Sequence, residues 1–230
     1  MLLRFFSLWS LLDWVAFTLF ITGWALYGYL ADRATRSATG LRGVTHLRRL
    51  EWARQMIDRE NRITDASLLG DLKSSVSFYA NTTIYILAGL IAVAGTLERV
   101  VSFTEDLPFA RQTSREMLEA KMFVLIGIFI FAYFKFTWSL RQFNFVSILL
   151  GATPSRNSAP DVLERAAQRF ALMSSLGGDE FNRGIRAYYF GFAILGWFVH
   201  PDMFIALTIA ILAVLWRRDF HSRTLRAMAD

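Results

Sequence analysis

Lys135 stands in a stretch, Met122 to Leu140, that holds no other charged residue. Thr137, Ser139, Arg141, Gln142 and Asn144 follow it closely. An ammonium, a guanidinium and a set of hydroxyl and amide groups at helical spacing can hold an anion, either a lipid headgroup or a small solute. Two other segments bring similar groups. Ser74, Ser75, Ser77, Asn81, Thr82 and Thr83 lead into one apolar run, and Arg183, Arg186, Tyr188 and Tyr189 begin another. If the segments around 76–98 and 120–142 form an antiparallel hairpin, equal helical rise sets Lys135 level with Thr83, Arg141 with Ser77 and Asn144 with Ser74. On a helical wheel Lys135, Ser139 and Gln142 share one face, while Thr137, Arg141 and Asn144 share the opposite one. Asp71 is the nearest carboxylate in this reading, so the cations Lys135, Arg141 and Arg186 outnumber local acids. The reading that asks less of the same residues is that arginines near the interface snorkel and the hydroxyls bond neighbouring helices.

Other chemistry finds little support. The chain has no cysteine, which excludes disulfides, thiolate metal sites and thiol catalysis. His46, His200 and His221 are the only histidines, and the expected topology puts His200 on the far side from the other two. No His-Glu-x-x-His pattern occurs, and no serine has a histidine at its own depth for a hydrolase triad. Gly177 and Gly178 read as a helix stop and not as a phosphate loop. Asp13 reads as an N-cap at the outer surface.

The elements that must position these groups follow from composition. Of 230 residues, 54% are hydrophobic and 19% charged, against about a quarter charged in soluble domains. The 22 arginines and three lysines lie between apolar runs and form no basic domain, so the net charge of +6 does not point to nucleic acid. A spanning helix needs about 20 apolar residues, and lipid leaves a bare peptide group no partner. The expected fold is therefore all-α: a polytopic membrane helix bundle in one integral membrane domain. Its spans are about 8–31, 76–98, 120–142, 182–199 and 202–218, the last two a short hairpin broken at His200-Pro201, with Asp202 as the cap of the second.

The basic residues test that count. Segment 32–75 holds nine Lys or Arg, 141–186 holds six, and the tail after Trp216 holds four. The other side holds Arg4, Arg99, Arg111 and Arg115. The positive-inside bias puts the N-terminus outside and the C-terminus in the cytoplasm. The start does not read as a cleaved signal, because the apolar run is too long and no small-residue site closes it.

Between the spans, 44–62 reads as an amphipathic surface helix with Leu47, Leu50, Ala53 and Ile57 on one arc, and Trp52 suits the inner membrane surface. Thr64 or Asp65 is expected to cap a helix running into the second span. The capping-box pattern at Thr113 and Glu116 opens a helix that can reach Gly151. A second surface helix, about 159–176, carries Val162, Ala166, Phe170 and Met173 on one face.

The run FTWSLRQFN from Phe136 to Asn144, with GIRAYYF from Gly184 to Phe190, Trp197 and Pro201, resembles the bacterial membrane family catalogued as domain of unknown function 599. The stretch from Arg59 through Asp65 to Asn81 is similar as well. The resemblance covers roughly Leu12 to His221. It implies a polytopic inner-membrane protein and no activity.

The function expected is that of a non-enzymatic structural or accessory subunit of a membrane assembly, with no cofactor. Its partners are the bilayer and anionic lipids, together with further copies or a larger membrane complex, and no nucleic acid. Two alternatives stand beside it. One is a channel or carrier for an anionic solute through the polar layer of Lys135, Arg141, Asn144, Ser139, Asn81, Ser77, Arg186, Tyr188 and Tyr189. The other is an enzyme on lipid headgroups using Tyr188 or Asp71.

Overall fold

A computed structural model describes residues 9–36, 40–96 and 114–229. The first residue of the first expected span, the end of the second at 97–98, Arg4, Arg99, Arg111 and Thr113 lie outside the described residues. Among those described there are seven α-helices and no strand. They are α1 (Leu11–Arg36), α2 (Leu41–Asp58), α3 (Ile63–Ala94), α4 (Arg115–Gly151), α5 (Pro160–Val199), α6 (Pro201–Phe220) and α7 (Arg223–Ala229). Three stretches are long and apolar enough to cross a membrane: Leu11–Arg33, Ile63–Ala94 and Arg115–Gly151.

The helix starts follow local chemistry and correct several expected caps. Asp13 is the third residue of α1 and not its cap. The Ser10 N–H donates to Asp13 Oδ2 at 3.2 Å, and the Asp13 N–H returns a bond to Ser10 Oγ at 3.3 Å, the reciprocal arrangement of a capping box. Asn61 Oδ1, not Thr64 or Asp65, takes the Ile63 N–H at 2.9 Å. Ser114 Oγ takes the Met117 N–H at the start of α4, which runs to Gly151 as its sequence predicts. Pro201 opens α6 at a position where a missing N–H costs nothing. The ring Nδ1 of His200, not Asp202, caps it by accepting the Asp202 N–H at 3.2 Å.

The largest departure is α5. A surface helix ending at Gly177-Gly178 and a separate span starting near 182 were expected, but one helix of 40 residues covers both. A glycine inside a helix costs roughly 1 kcal/mol relative to alanine, and packing offsets that here. A Cβ at Gly177 would lie 3.2 Å from the Phe143 ring, and one at Gly178 would collide with the Arg49 guanidinium. The Ser139 hydroxyl also donates to the Gly177 carbonyl at 2.7 Å. The pair marks close approach of α4 and α2, not a stop.

The chain forms two compact units, and α1, α3, α4, α5 and α6 each contribute to both. The first takes residues from 1–30, 83–132 and 185–216. Its centre is aromatic: Trp197 stacks on Phe204 with centroids 5.0 Å apart, and Phe20 meets Phe190 and Phe204. A Cβ at Gly196 would sit 3.2 Å from the Met203 carbonyl, so the α5–α6 hairpin closes tightly. The Tyr27 hydroxyl donates to the Leu215 carbonyl, tying α1 to α6.

The second unit takes residues from 31–82, 133–184 and 217–230. Phe136 is fully buried between Tyr79 and Phe181. On α2 the buried arc is Gly43, Ala53, Met56 and Ile57, whereas Leu47 is exposed. Trp52 packs edge-on against Phe170. The first half of α5 buries Ala167, Phe170, Ala171 and Ser174 and leaves Val162 exposed, a face rotated from the expected one. Gly40, with φ of 96°, is the N-cap of α2, and a Cβ there would lie 3.4 Å from the Asp219 carbonyl oxygen and the Phe220 ring.

Gly184 gives a direct test of this packing. A Cβ there would lie 2.5 Å from Phe136 Cε1, and that ring has nowhere to go. Gly184→Ala is expected to cost about 1–3 kcal/mol through overpacking. Gly127→Ala meets nothing within 4 Å and should be neutral or gain up to about 1 kcal/mol from helix propensity. Thermal unfolding in detergent compares them; equal midpoints for the two variants would refute the close approach at Gly184.

Candidate functional site

The face of α4 that carries Lys135, Ser139 and Gln142 meets α5 running the opposite way. Lys135 Nζ donates to Glu180 Oε2 at 2.8 Å, and Ser139 donates to the Gly177 carbonyl. Each step along α4 is matched by a reverse step along α5, which sets Gln142 level with Ser174. This follows from two helices of equal rise packed antiparallel.

From Lys135 the ion pairs continue. The other oxygen of Glu180 accepts from Arg183 Nη1. Arg183 Nη2 donates to Asp32 Oδ2 at 2.6 Å, and Arg42 Nη1 donates to Asp32 Oδ1 at 2.6 Å. Arg42 then reaches Asp179 Oδ1 through Nε at 2.8 Å and Nη2 at 2.7 Å. Lys135, Glu180, Arg183, Asp32, Arg42 and Asp179 thus alternate in sign, and the six charges sum to zero. Glu180 is 7% exposed. Burying a charge is costly unless it is paired and hydrogen-bonded, and the alternation meets that condition at every position.

The sequence reading expected an excess of cations there, with Asp71 as the nearest acid. Asp71 is exposed, and its carbonyl only accepts the Ser75 hydroxyl. The carboxylates that matter are Asp32, Asp179 and Glu180. Two of them were hidden by reading Gly177-Gly178 as a helix end. Had α5 been taken as continuous, Glu180 three residues before Arg183 would have signalled an intrahelical pair.

The other expected groups divide. Arg141 and Asn144 are exposed on the opposite face of α4, with the Arg141 guanidinium 5.6 Å from the Trp138 ring centre and 5.8 Å from that of Phe145. Asn81 is exposed and Ser77 half-buried on α3. Arg186, Tyr188 and Tyr189 belong to the first unit. There the Tyr188 and Thr83 hydroxyls are 2.7 Å apart, Phe129 packs edge-on to Tyr188, and Arg186 is buried 5.8 Å from the centre of the Tyr27 ring. Tyr189 is half-buried.

Two further polar features went unforeseen. Asp65 is fully buried, and its Oδ1 accepts from Trp52 Nε1 at 2.7 Å and Arg59 Nη1 at 2.6 Å. Arg54 and Glu164 form an exposed two-point pair joining α2 to α5. The Arg54 guanidinium holds the Glu164 carboxyl below the usual range. No three His, Cys, Asp or Glu side chains among the described residues are placed to hold a metal ion.

An all-helical architecture with three stretches fit to cross a membrane, holding a charge-balanced polar cluster, defines a helical protein of membrane-like character. Residues 15–224 match the family described as protein of unknown function, DUF599, and the chain belongs to that family. No curated protein and no solved structure matches the chain.

Proposed function

We propose that this is a five-span bacterial inner-membrane protein, N-terminus outside and C-terminus cytoplasmic, acting as a non-enzymatic structural or accessory subunit of a membrane assembly. The alternating charges from Lys135 to Asp179 support this reading best. The Lys135 ammonium and the Arg183 guanidinium, which an anion would need, are engaged by Glu180 and Asp32. The pairing of Lys135 with Glu180 weighs against a solute anion at that depth. The exposed face of α4, with Trp138, Arg141, Asn144 and Phe145, remains available to anionic lipid or to a neighbouring chain.

The fourth and fifth spans rest on the second half of α5 and on α6, which turn back at His200-Pro201 between arginine-rich flanks. Each is about 25–27 Å of helix, slightly short for the hydrocarbon, and the flanking arginines reach the interface.

The cysteine-free chain makes the topology testable by single replacements. Cysteine at Asp202 should react with an impermeant maleimide on intact spheroplasts, and cysteine at Ser158 only after permeabilisation. Labelling of both from the same side removes the hairpin. For the assembly, affinity purification in mild detergent should return a defined oligomer or a stoichiometric partner. A clean monomer refutes the subunit role.

A further inference from the structure

The arginines of α2 and its C-terminal cap are paired with carboxylates, with one exception. Arg42 reaches Asp32 and Asp179, Arg48 reaches Glu51, Arg54 reaches Glu164, and Arg59 reaches Asp65. Arg49 makes no ion pair among the described residues. Its one hydrogen bond there is a long contact, Nη1 to Ser175 Oγ at 3.4 Å. Burial holds its guanidinium below the ordinary value, and Asp179 opposes that shift only in part, being already engaged by Arg42. A guanidinium keeps its charge in proteins regardless. A half-buried, charged group with spare donors favours an acceptor.

The surroundings supply more donors and no free carboxylate. Ser174, Ser175 and Gly178 share one face of α5 at three- and four-residue spacing. Ser174 is 0% exposed, and its hydroxyl has no hydrogen-bond partner. The Ser175 hydroxyl lies 2.8 Å from His46 Nδ1. At Gly178 the missing side chain is what lets the guanidinium lie against the α5 backbone. An unsatisfied Ser174 hydroxyl on this face of α5, and an arginine with no ion pair among the described residues, form a set of groups that their protein contacts do not complete.

We infer that Arg49, with the hydroxyls of Ser174 and Ser175 and the His46 ring, binds a phosphate group at the seam of α2 and α5 where the guanidinium lies against Gly178. The guanidinium offers planar paired donors suited to phosphate oxygens, and the hydroxyls rotate to donate as well. The phosphate comes from an anionic phospholipid headgroup or from free phosphate; the chemistry of recognition is shared. None of these residues belongs to the polar layer assigned above, and the inference does not depend on the number of spans or on the subunit role.

The test is thermal unfolding of the delipidated, detergent-solubilised full chain, titrated with inorganic phosphate in one arm and with phosphatidylglycerol in mixed micelles in the other. Sodium chloride at matched ionic strength and phosphatidylcholine are the controls. The wild type should rise in midpoint with at least one probe and with neither control. A rise in the phosphate arm identifies the free anion, and one in the phosphatidylglycerol arm alone identifies the headgroup. Arg49→Gln and the double change Ser174→Ala/Ser175→Ala should each weaken the apparent affinity at least tenfold. Arg49→Lys, which keeps charge without the planar fork, should fall between. Each variant is compared with its own ligand-free midpoint, so a change in basal stability does not mask the result. No rise in the wild type with either probe overturns the inference, and so does an unchanged titration in Arg49→Gln.

Discussion

Glu180→Ala is expected to lower the stability of the folded chain by about 3–5 kcal/mol, the cost of stripping a buried charge pair of one partner. Two cations lose their shared carboxylate at once, Lys135 at 2.8 Å and Arg183 on the same helix. Arg183 retains Asp32, so more of the loss falls on the Lys135 ammonium. Lys135→Met alone should cost much less, because Glu180 keeps Arg183. Adding Lys135→Met to Glu180→Ala should recover part of the loss, since the ammonium that faced Glu180 is then gone. Such a sub-additive cycle is the signature of direct coupling. Thermal or denaturant unfolding in detergent of the four proteins reads it. A Glu180→Ala protein within about 0.5 kcal/mol of wild type, the range of an ordinary surface change, would falsify the alternating arrangement.

Trp197→Ala should be comparably damaging, again about 3–5 kcal/mol as for other buried large-to-small changes. The indole is fully buried, stacks on Phe204 at 15°, and donates from Nε1 to Asp13 Oδ1 at 2.9 Å. The backbone carbonyl of Trp197 takes the buried Lys121 ammonium at 2.7 Å, and that ammonium also lies 5.4 Å from the ring centre. Between helices in lipid, association rests on such packing and hydrogen bonds, because hydrocarbon offers no hydrophobic drive. Trp197→Phe keeps most of the stacking and loses the donor to Asp13, so it should cost only about 1–3 kcal/mol. If phenylalanine proves as harmful as alanine in the same unfolding assay, the hydrogen bond and not the packing holds this centre.

The comparison of these residues with their sequence shows what local patterns can carry. The length of α4 was legible because a capping pattern and Gly151 bracket an unbroken apolar run. The break at His200-Pro201 was legible because proline removes a donor whatever surrounds it. The continuity of α5 was not, since two adjacent glycines look the same whether they end a helix or admit a neighbour. Only the positions of Phe143 and Arg49 distinguish the cases. The partner of Lys135 lies 45 residues away and that of Arg183 on α1 lies 151 away. No periodicity encodes such pairs. Lys135 and Ser139 meet α5, while Arg141 and Asn144, equally polar, are exposed on the far side of the same helix.

The order of synthesis gives the alternating charges a temporal meaning. Asp32 and Arg42 are ten residues apart, and Glu180 and Arg183 three. Each of these pairs can neutralise itself as soon as its own stretch leaves the ribosome. Lys135 and Glu180 are 45 residues apart, so that pair closes only once α5 has been made. Closure of the alternating charges is thus set by the synthesis of α5, which carries both Asp179 and Glu180, and not by that of α4.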